Sequence, residues 1–312
     1  MVVRLIFRLI LHFDRIMAMI TKSFRALCET IRNLSEQETF ESASNILEEY
    51  VFAMKRNDFI SLVAEMGTIP ENIVHDSSEE KLYAKATDIT LARCFHELGL
   101  KAKVLKERAN SADVYAESIY HNYSLVADAK AFRLSRTAKN QKDFKVESMA
   151  HWRGDNNYSV LCCPYFQYPK NTSQIFGQAL NNNISLFSWE YFSVLLQSEI
   201  TETPNINLSS LWNVSAIFAE NTILSKQNKC FIAKQDDFIK AEYHLQDFEN
   251  CFAQFRINIV NRGETEIGFW KSRIKEIQGY SKKQAIDELL SALKLNEKIG
   301  AIERFLITLS EQ

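Results

Sequence analysis

Glycine and proline are scarce in this chain, with 8 glycines and 4 prolines among 312 residues. That scarcity excludes collagen-like repeats and chains made mostly of irregular loops. A surplus of positive charge is also missing, because 39 aspartates and glutamates outnumber 37 lysines and arginines and give a net charge of −2. The overall charge therefore gives no sign of a nucleic-acid-binding protein. The remaining composition, 46% hydrophobic with 21 phenylalanines, predicts many helices around an aromatic core in one large or two small domains.

Cysteine pairs at metal-binding spacing are also missing. The six cysteines form no C-x-x-C motif, so we expect no structural zinc site. Cys162 and Cys163 are adjacent, and neighbouring cysteines rarely form a disulfide of normal geometry. The sequence therefore predicts reduced thiols in a cytoplasmic protein.

No hydrophobic run is long enough to cross a membrane or to act as a clear secretion signal. The apolar residues 1–20 come closest, but Arg4, Arg8 and Asp14 interrupt them, and a spanning helix needs about 18 uncharged residues. Two interpretations stay open for this segment, an amphipathic helix or an extension translated from an early start codon. We expect no membrane partner.

The spacing of apolar residues predicts an α/β core between two helical regions. Apolar residues recur every three to four positions before the core and again from residue 206 onward. Between these regions the pattern changes to three strands, a helix and a fourth strand, which predicts a mixed sheet. The predicted strands are 112–116, 123–130, 158–163 and 184–187. We divide the chain into an N-terminal extension (1–18), helices plus the α/β core (19–205) and a helical C-terminal region packed on the core (206–312).

Two acids and a lysine form the strongest chemical signal in the predicted core. Asp128 and Lys130 end a predicted strand, and their side chains point to the same face because strand residues alternate. If a strand beginning at Asp113 pairs with it, the two carboxylates can bind one Mg²⁺ ion. Activated water could then attack a phosphate while Lys130 neutralises charge on the phosphoryl oxygens. A D-x-K triplet also occurs by chance, and Asp113 could be an ordinary turn residue.

A basic segment begins at Lys130. Residues 130–145 carry six basic side chains and one acidic one, a local charge of +5, against −7 for the rest of the chain. Nucleic-acid phosphates bind such segments, although a solvated charged helix has the same composition. Its amide side chains could bind an adenine edge and its arginines a guanine edge. The predicted DNA-binding residues are Arg133, Arg136, Lys139, Asn140, Gln141 and Lys142.

Residues 123–146, which contain Asp128-Ala129-Lys130 and the basic segment, closely resemble the HindIII family of type II restriction endonucleases. The resemblance extends from about residue 19 to the C-terminal helices. It implies a restriction-endonuclease-like fold of the PD-(D/E)xK type, an α/β mixed-sheet core flanked by N- and C-terminal helices. It also implies that Asp113, Asp128 and the main-chain carbonyl of Ala129 bind the metal and that Lys130 is catalytic.

The resemblance further implies a homodimeric, Mg²⁺-dependent enzyme that cuts double-stranded DNA at the palindrome AAGCTT and leaves 5′ overhangs. Two-fold symmetry of the site independently favours a dimer. A companion DNA methyltransferase of the same restriction-modification system would protect host DNA without forming a stable complex. Glu80, on the helix before the core, is either a further catalytic residue, as in related nucleases, or the partner of Ser77 in a capping box.

Two other functions fit the same residues. The chain could be a DNA-binding relative without catalysis, or another metal-dependent DNA nuclease of the same fold that acts in repair or on DNA structures. The intact Asp113, Asp128 and Lys130 speak against the first alternative. Cleavage restricted to AAGCTT would exclude the second. An NTP-driven enzyme is not expected, because the chain has no G-x-x-x-x-G-K-[ST] loop.

Overall fold

A five-stranded mixed sheet forms the centre of the fold in the computed structural model. The strands lie side by side in chain order, β1 to β5. β1, β2 and β3 are antiparallel neighbours, whereas β3, β4 and β5 are parallel. The strands are β1 (Lys101–Val104), β2 (Val114–Glu117), β3 (Ser124–Ala129), β4 (Tyr158–Cys163) and β5 (Ile184–Ser188). The predicted α/β fold with a mixed sheet is therefore confirmed.

The structure describes residues 21–105, 111–136, 141–170, 172–220 and 231–310. The chain forms two units, residues 1–263 and residues 264–312. The predicted N-terminal extension and the predicted DNA-binding residues Lys139 and Asn140 lie outside the described residues. Within the described ranges, no helix is both long enough and apolar enough to cross a membrane.

Helices account for most of the remaining described chain. Those before the sheet are α1 (Lys22–Gln37), α2 (Phe40–Ala53), α3 (Arg56–Val63) and α4 (Ser78–Glu97). Those between the strands and directly after β5 are α5 (Gln141–Phe144), α6 (Val146–Trp152), α7 (Gln174–Asn182) and α8 (Trp189–Gln197). The last six are α9 (Ser209–Trp212), α10 (Val214–Glu220), α11 (Phe231–Glu242), α12 (Phe248–Gln278), α13 (Lys282–Ala292) and α14 (Leu295–Ser310).

Helix α4 begins where the sequence predicts. The Ser77 side chain accepts a hydrogen bond from the N–H of Glu80 at 3.1 Å, which is the expected N-cap. The Glu80 carboxylate accepts the N–H of Asp76 at 2.8 Å, one residue before the position that a capping box requires. The chain leaves α4 at Gly99, whose φ is +89° and where a Cβ would lie 2.8 Å from the Glu202 carbonyl oxygen. Both the conformation and the lack of space require glycine there.

Apolar side chains cover both faces of the sheet. Leu125 and Ala127 of β3 belong to one buried cluster, whereas Val126 and Leu161 belong to a second. This alternation follows the two-residue period of a strand. β4 and β5 are almost entirely buried, as expected for parallel strands covered on both faces. Asp128 follows the same alternation as Val126, so a carboxylate stands near the end of a buried strand.

Two elements differ from the sequence predictions. β1 was not predicted, because its sequence Lys-Ala-Lys-Val is short and largely exposed. Backbone pairing with β2 places it at the sheet edge, where lysines are well tolerated. The apolar spacing at 236–260 and 264–277 predicts two further helices, but the break lies at 243–247 and α12 is continuous across residue 263. Gly263 lies inside α12, and a glycine costs a helix interior only about 1 kcal/mol.

Candidate active site

Asp113 and Asp128 lie side by side at the same end of β2 and β3. The N–H of Asp113 donates to the carbonyl oxygen of Ala127 at 3.2 Å, directly before the antiparallel pair of Val114 and Ala127. Burial, together with the neighbouring carboxyl group of Asp128, raises the pKa of Asp113 to about 7. The structure thus brings together the two carboxylates that were predicted to bind a metal.

Lys130 completes this group from the residue after the end of β3. Its N–H donates to the Cys162 carbonyl oxygen at 2.8 Å, and its own carbonyl accepts the indole N–H of Trp189 at 2.9 Å. The ammonium group forms an ion pair with the buried carboxylate of Asp128. Burial lowers the pKa of Lys130, but the charges of Asp128 and Asp113 outweigh it and raise the pKa overall. The neighbouring carboxylates therefore favour the protonated, charged form of Lys130.

Close packing at Gly67 fixes the segment that carries Lys130. A Cβ at Gly67 would lie 2.7 Å from the Trp189 ring and 2.8 Å from the Pro164 ring. The Gly67 carbonyl also accepts the N–H of Phe132 at 3.0 Å. Only glycine allows this approach, so Trp189 can reach the Lys130 carbonyl and the chain on both sides of the lysine is held.

A third carboxylate, which sequence reasoning missed, lies on α4. Asp88 stands between the buried residues Thr87 and Ile89. Burial and the charges of Asp113 and Asp128 raise its pKa well above the usual value. The Asp88 carboxyl group therefore lies close enough to Asp113 and Asp128 for their charges to act on it. The sequence held one signal for it, an acid among the apolar residues of a helix, where a carboxylate needs a partner.

The paired carboxylates of Asp113 and Asp128 fit a divalent metal ion. Asp88 and Asp113, whose pKa values are raised, are disfavoured as anions unless a proton or a cation neutralises them. Carboxylate and carbonyl oxygens are the ligands that Mg²⁺ prefers in proteins. Ala129, whose carbonyl was predicted to be a ligand, lies between Asp128 and Lys130 at the end of β3. Asp113, Asp128 and the main chain of Ala129 therefore form a donor set that suits a hard cation, with the Asp88 carboxyl group close by.

The acidic group opens into a cleft of about 450 Å³. Asp113 and Asp128 line the cleft, together with Glu41, Glu48 and two lysines outside the D-x-K triplet, Lys85 and Lys145. An acidic centre bordered by ammonium groups can hold a cation and the phosphate that the cation contacts. The chemistry of the cleft is therefore that of phosphoryl transfer.

Glu80 lies in the first turn of α4 and binds Arg133. Its Oε1 accepts a hydrogen bond from Arg133 Nη2 at 2.5 Å, and its Oε2 lies 3.0 Å from His75 Nδ1. Burial raises the pKa of Glu80, but the N–H of Asp76 and the Arg133 side chain lower it overall. The potential ligand atoms of His75, Asp76 and Glu80 lie within 4.8 Å of one another, but the bound guanidinium would repel a cation there. A direct catalytic role of Glu80 stays a prediction.

The other described residues of the predicted DNA-binding set surround α5. Arg136 Nη2 lies 2.6 Å from Asp143 Oδ1, and its guanidinium lies 5.5 Å from the centre of the Phe132 ring. Gln141 is the first residue of α5, and Lys142 is exposed. Acidic side chains thus hold both predicted arginines in the DNA-free chain, and their contacts with bases stay predictions.

Comparison with known proteins identifies the family. The sequence profile of the HindIII restriction endonuclease matches residues 25–305. The chain belongs to this family. The type II restriction enzyme HindIII of Haemophilus influenzae is 42% identical over 289 residues, which cover 90% of this chain and 94% of that enzyme. Membership of the HindIII family confirms the prediction of a type II restriction endonuclease, a site-specific hydrolase of DNA.

Proposed function

We propose that this protein is a homodimeric, Mg²⁺-dependent endonuclease that cuts double-stranded DNA at AAGCTT and leaves 5′ overhangs. The observation that carries the proposal is the group of Asp113, Asp128 and Lys130 at the edge of the cleft. Paired carboxylates beside a protonated lysine suit the hydrolysis of a phosphodiester. The 42% identity to HindIII over nearly the whole chain supports the same recognition site.

The residues of the candidate site have separate roles in hydrolysis. Asp88, Asp113, Asp128 and the carbonyl of Ala129 would hold the metal ion, which when bound polarises the phosphate and makes water more acidic. Lys130, fixed by Trp189 and Cys162, donates hydrogen bonds to a non-bridging phosphate oxygen and offsets the charge that grows there. Water loses a proton to the solvent as it forms a new bond to phosphorus, and the bond to the leaving deoxyribose oxygen breaks as that oxygen gains a proton.

The partners that we propose follow from the palindromic recognition site. A palindromic site needs two cleavage centres related by a two-fold axis, so two copies of the chain would act on one site, one on each strand. A companion methyltransferase that modifies AAGCTT would protect host DNA without a stable complex. Such a restriction-modification system acts on DNA in the cytoplasm, which we propose as the location of the protein.

Digestion of two matched plasmids tests this function. One plasmid contains a single AAGCTT site, and in the other a single base pair of that site is changed. We expect the purified protein to linearise only the first plasmid, only with Mg²⁺ and not with EDTA, with 5′ overhangs at the mapped ends. Cuts at unrelated positions would indicate another nuclease, and binding without cutting would indicate a catalytically silent relative; either result contradicts the proposal.

A further inference from the structure

The loop between α3 and α4 runs alongside the start of the basic segment. The N–H of Phe132 donates to the Gly67 carbonyl oxygen at 3.0 Å, and the Phe132 carbonyl oxygen accepts the N–H of Ile69 at 3.3 Å. One residue further along both stretches, Arg133 Nη1 donates to the Pro70 carbonyl oxygen at 2.8 Å. The loop therefore follows the basic segment as far as Arg133.

The next residue of the loop, Glu71, extends this contact with its side chain. Both of its carboxylate oxygens accept hydrogen bonds from Ser135, Oε1 from the N–H at 2.9 Å and Oε2 from the hydroxyl group at 2.8 Å. Glu71 is buried, whereas Ser135 is exposed. Hydrogen bonds to an ionised carboxylate are stronger than those between neutral groups, and a two-point contact fixes orientation as well as distance. Glu71 therefore sets the direction of the main chain at Ser135.

Ser135 lies inside a turn that carries two predicted DNA-binding residues. The N–H of Arg136 donates to the Arg133 carbonyl oxygen at 3.3 Å, which closes a four-residue turn over 133–136. Arg133 and Arg136 stand at the two ends of this turn, and Arg136 is exposed. Because Ser135 is fixed to a buried group, the turn and the arginine that follows Ser135 are held against the body of the protein.

Glu71 is unsuited to contact DNA itself. Its carboxylate would repel a phosphate, and its side chain is buried and bound to Ser135. The attraction of phosphates depends mainly on the number of positive charges, whereas reading of base edges needs side chains held in a fixed geometry. A fixed turn therefore matters more for sequence recognition than for general affinity.

We propose that Glu71 is a positioning residue for sequence recognition, which acts through Ser135 and holds the turn over 133–136 in the orientation in which the basic segment reads its DNA site. This inference rests on the proposed function, because it takes AAGCTT as the sequence that is read. It adds an acid from the α3–α4 loop, outside both the cleft and the basic segment.

Binding to two matched duplexes tests this role. One duplex contains AAGCTT, and in the other a single base pair of the site is changed. The specificity ratio, the dissociation constant of the changed duplex divided by that of the AAGCTT duplex, is measured with Ca²⁺ in place of Mg²⁺. Partial unfolding weakens both affinities by the same factor, so a loss of stability alone leaves this ratio unchanged.

The variants separate the carboxylate from the contact that it makes. Glu71→Ala removes the contact, and Glu71→Asp shortens the side chain by one methylene group. Glu71→Gln keeps the contact, because an amide can accept the N–H of Ser135 and donate to its hydroxyl oxygen. Ser118→Ala is the matched control for Ser135→Ala. The Ser118 hydroxyl also donates to a buried carboxylate, that of Glu202 at 2.5 Å, but Ser118 lies at the end of β2 away from the candidate active site.

We expect the specificity ratio to fall about tenfold in Glu71→Ala and severalfold in Glu71→Asp. Glu71→Gln and Ser118→Ala should keep the parental ratio. A double variant of Glu71 and Ser135 should lose no more than the Glu71 variant alone, because both changes remove the same contact. Thermal melting identifies the folded Glu71 variants, and if Glu71→Ala does not fold, Glu71→Asp decides.

A parental ratio in the deciding variant, or losses that add in the double variant, would overturn the inference. If the parent discriminates between the duplexes and cuts AAGCTT, such a result leaves the proposed function intact. A parent that binds both duplexes equally would contradict the proposed recognition site, and the inference would fail with it.

Discussion

Glu80 and Asp88 lie about two turns apart on α4, and the charges around them have opposite signs. Burial raises the pKa of Glu80, but hydrogen bonds from the N–H of Asp76 and from Arg133 lower it overall. Burial and the charges of Asp113 and Asp128 raise the pKa of Asp88. One helix thus carries an acid that an arginine neutralises and an acid whose charged form is disfavoured by burial and by two neighbouring acids.

The comparison shows what a local sequence pattern can and cannot assign. The position of Glu80, three residues after Ser77, predicts an N-cap at Ser77, and the structure confirms that cap. Burial and two acids 25 and 40 positions later in the chain, which the fold brings close to it, raise the pKa of Asp88, although the charge of Lys85 three residues earlier lowers it. Assignment of an acid on a helix therefore needs the neighbours that the fold supplies.

The largest effect on cleavage is expected for substitutions in the D-x-K triplet of Asp128 and Lys130. Asp128→Asn or Lys130→Ala should reduce the cleavage rate at AAGCTT by about 10³-fold, equivalent to about 4 kcal/mol of transition-state stabilisation. DNA binding should survive or tighten in Asp128→Asn, because the variant loses a negative charge. Single-turnover cleavage and equilibrium binding measure the two effects. Asp58→Asn, which removes an exposed carboxylate on α3, is the control; parental cleavage by Asp128→Asn would refute the site.

Glu190 tests whether a raised pKa alone marks a site. Burial raises the pKa of this carboxyl from 4.5 to about 7, although the N–H of Tyr165 donates to it at 2.9 Å. Between these pH values the folded chain holds a proton that the unfolded chain has lost, so stability falls as the pH rises. Glu190→Gln should therefore be more stable than the parent by about 3 kcal/mol above pH 7, with no difference near pH 4.

Urea unfolding at pH 4, 6 and 8 measures this difference. The control is Glu199→Gln, because Glu199 is exposed on the segment directly after α8. A gain of stability in Glu190→Gln that grows as the pH falls would contradict a raised pKa of Glu190 in the folded chain. The expected result would show that burial alone gives a high carboxyl pKa, whereas Asp88 requires its charged neighbours as well.

The smallest effect is expected for the ion pair of Glu80 and Arg133. Glu80→Gln removes the charge but keeps an oxygen for the N–H of Asp76. The free energy of unfolding should fall by about 1 kcal/mol, and the double variant with Arg133→Gln should be less destabilised than the sum of the single variants. Because the folded pKa of Glu80 is lowered, the loss in Glu80→Gln should be present at neutral pH and disappear as the pH falls below the ordinary value of 4.5. Additive losses would mean that the pair contributes nothing.

Much of the core could be predicted because the decisive signals are local. The apolar runs of β3, β4 and β5 follow from the sequence, and Asp128 and Lys130 share a face because strand residues alternate. β1 could not be predicted, since its backbone pairing with β2 decides its structure rather than an apolar pattern. The left-handed conformation of Lys145 could not be predicted either, since it depends on the buried neighbours Phe144 and Val146 and not on a glycine or asparagine at that position.

The Mg²⁺ dependence of cleavage tests the central claim that Asp88, with Asp113 and Asp128, binds the catalytic cation. The concentration of Mg²⁺ that gives half-maximal cleavage of a duplex with one AAGCTT site is compared in the parent, Asp88→Asn, Glu80→Gln and the Asp58→Asn control. We predict a rise of at least about tenfold in Asp88→Asn and the parental value in the other two variants. A parental Mg²⁺ requirement in Asp88→Asn, together with a raised requirement in Glu80→Gln, would contradict the account and place the metal at the other end of α4.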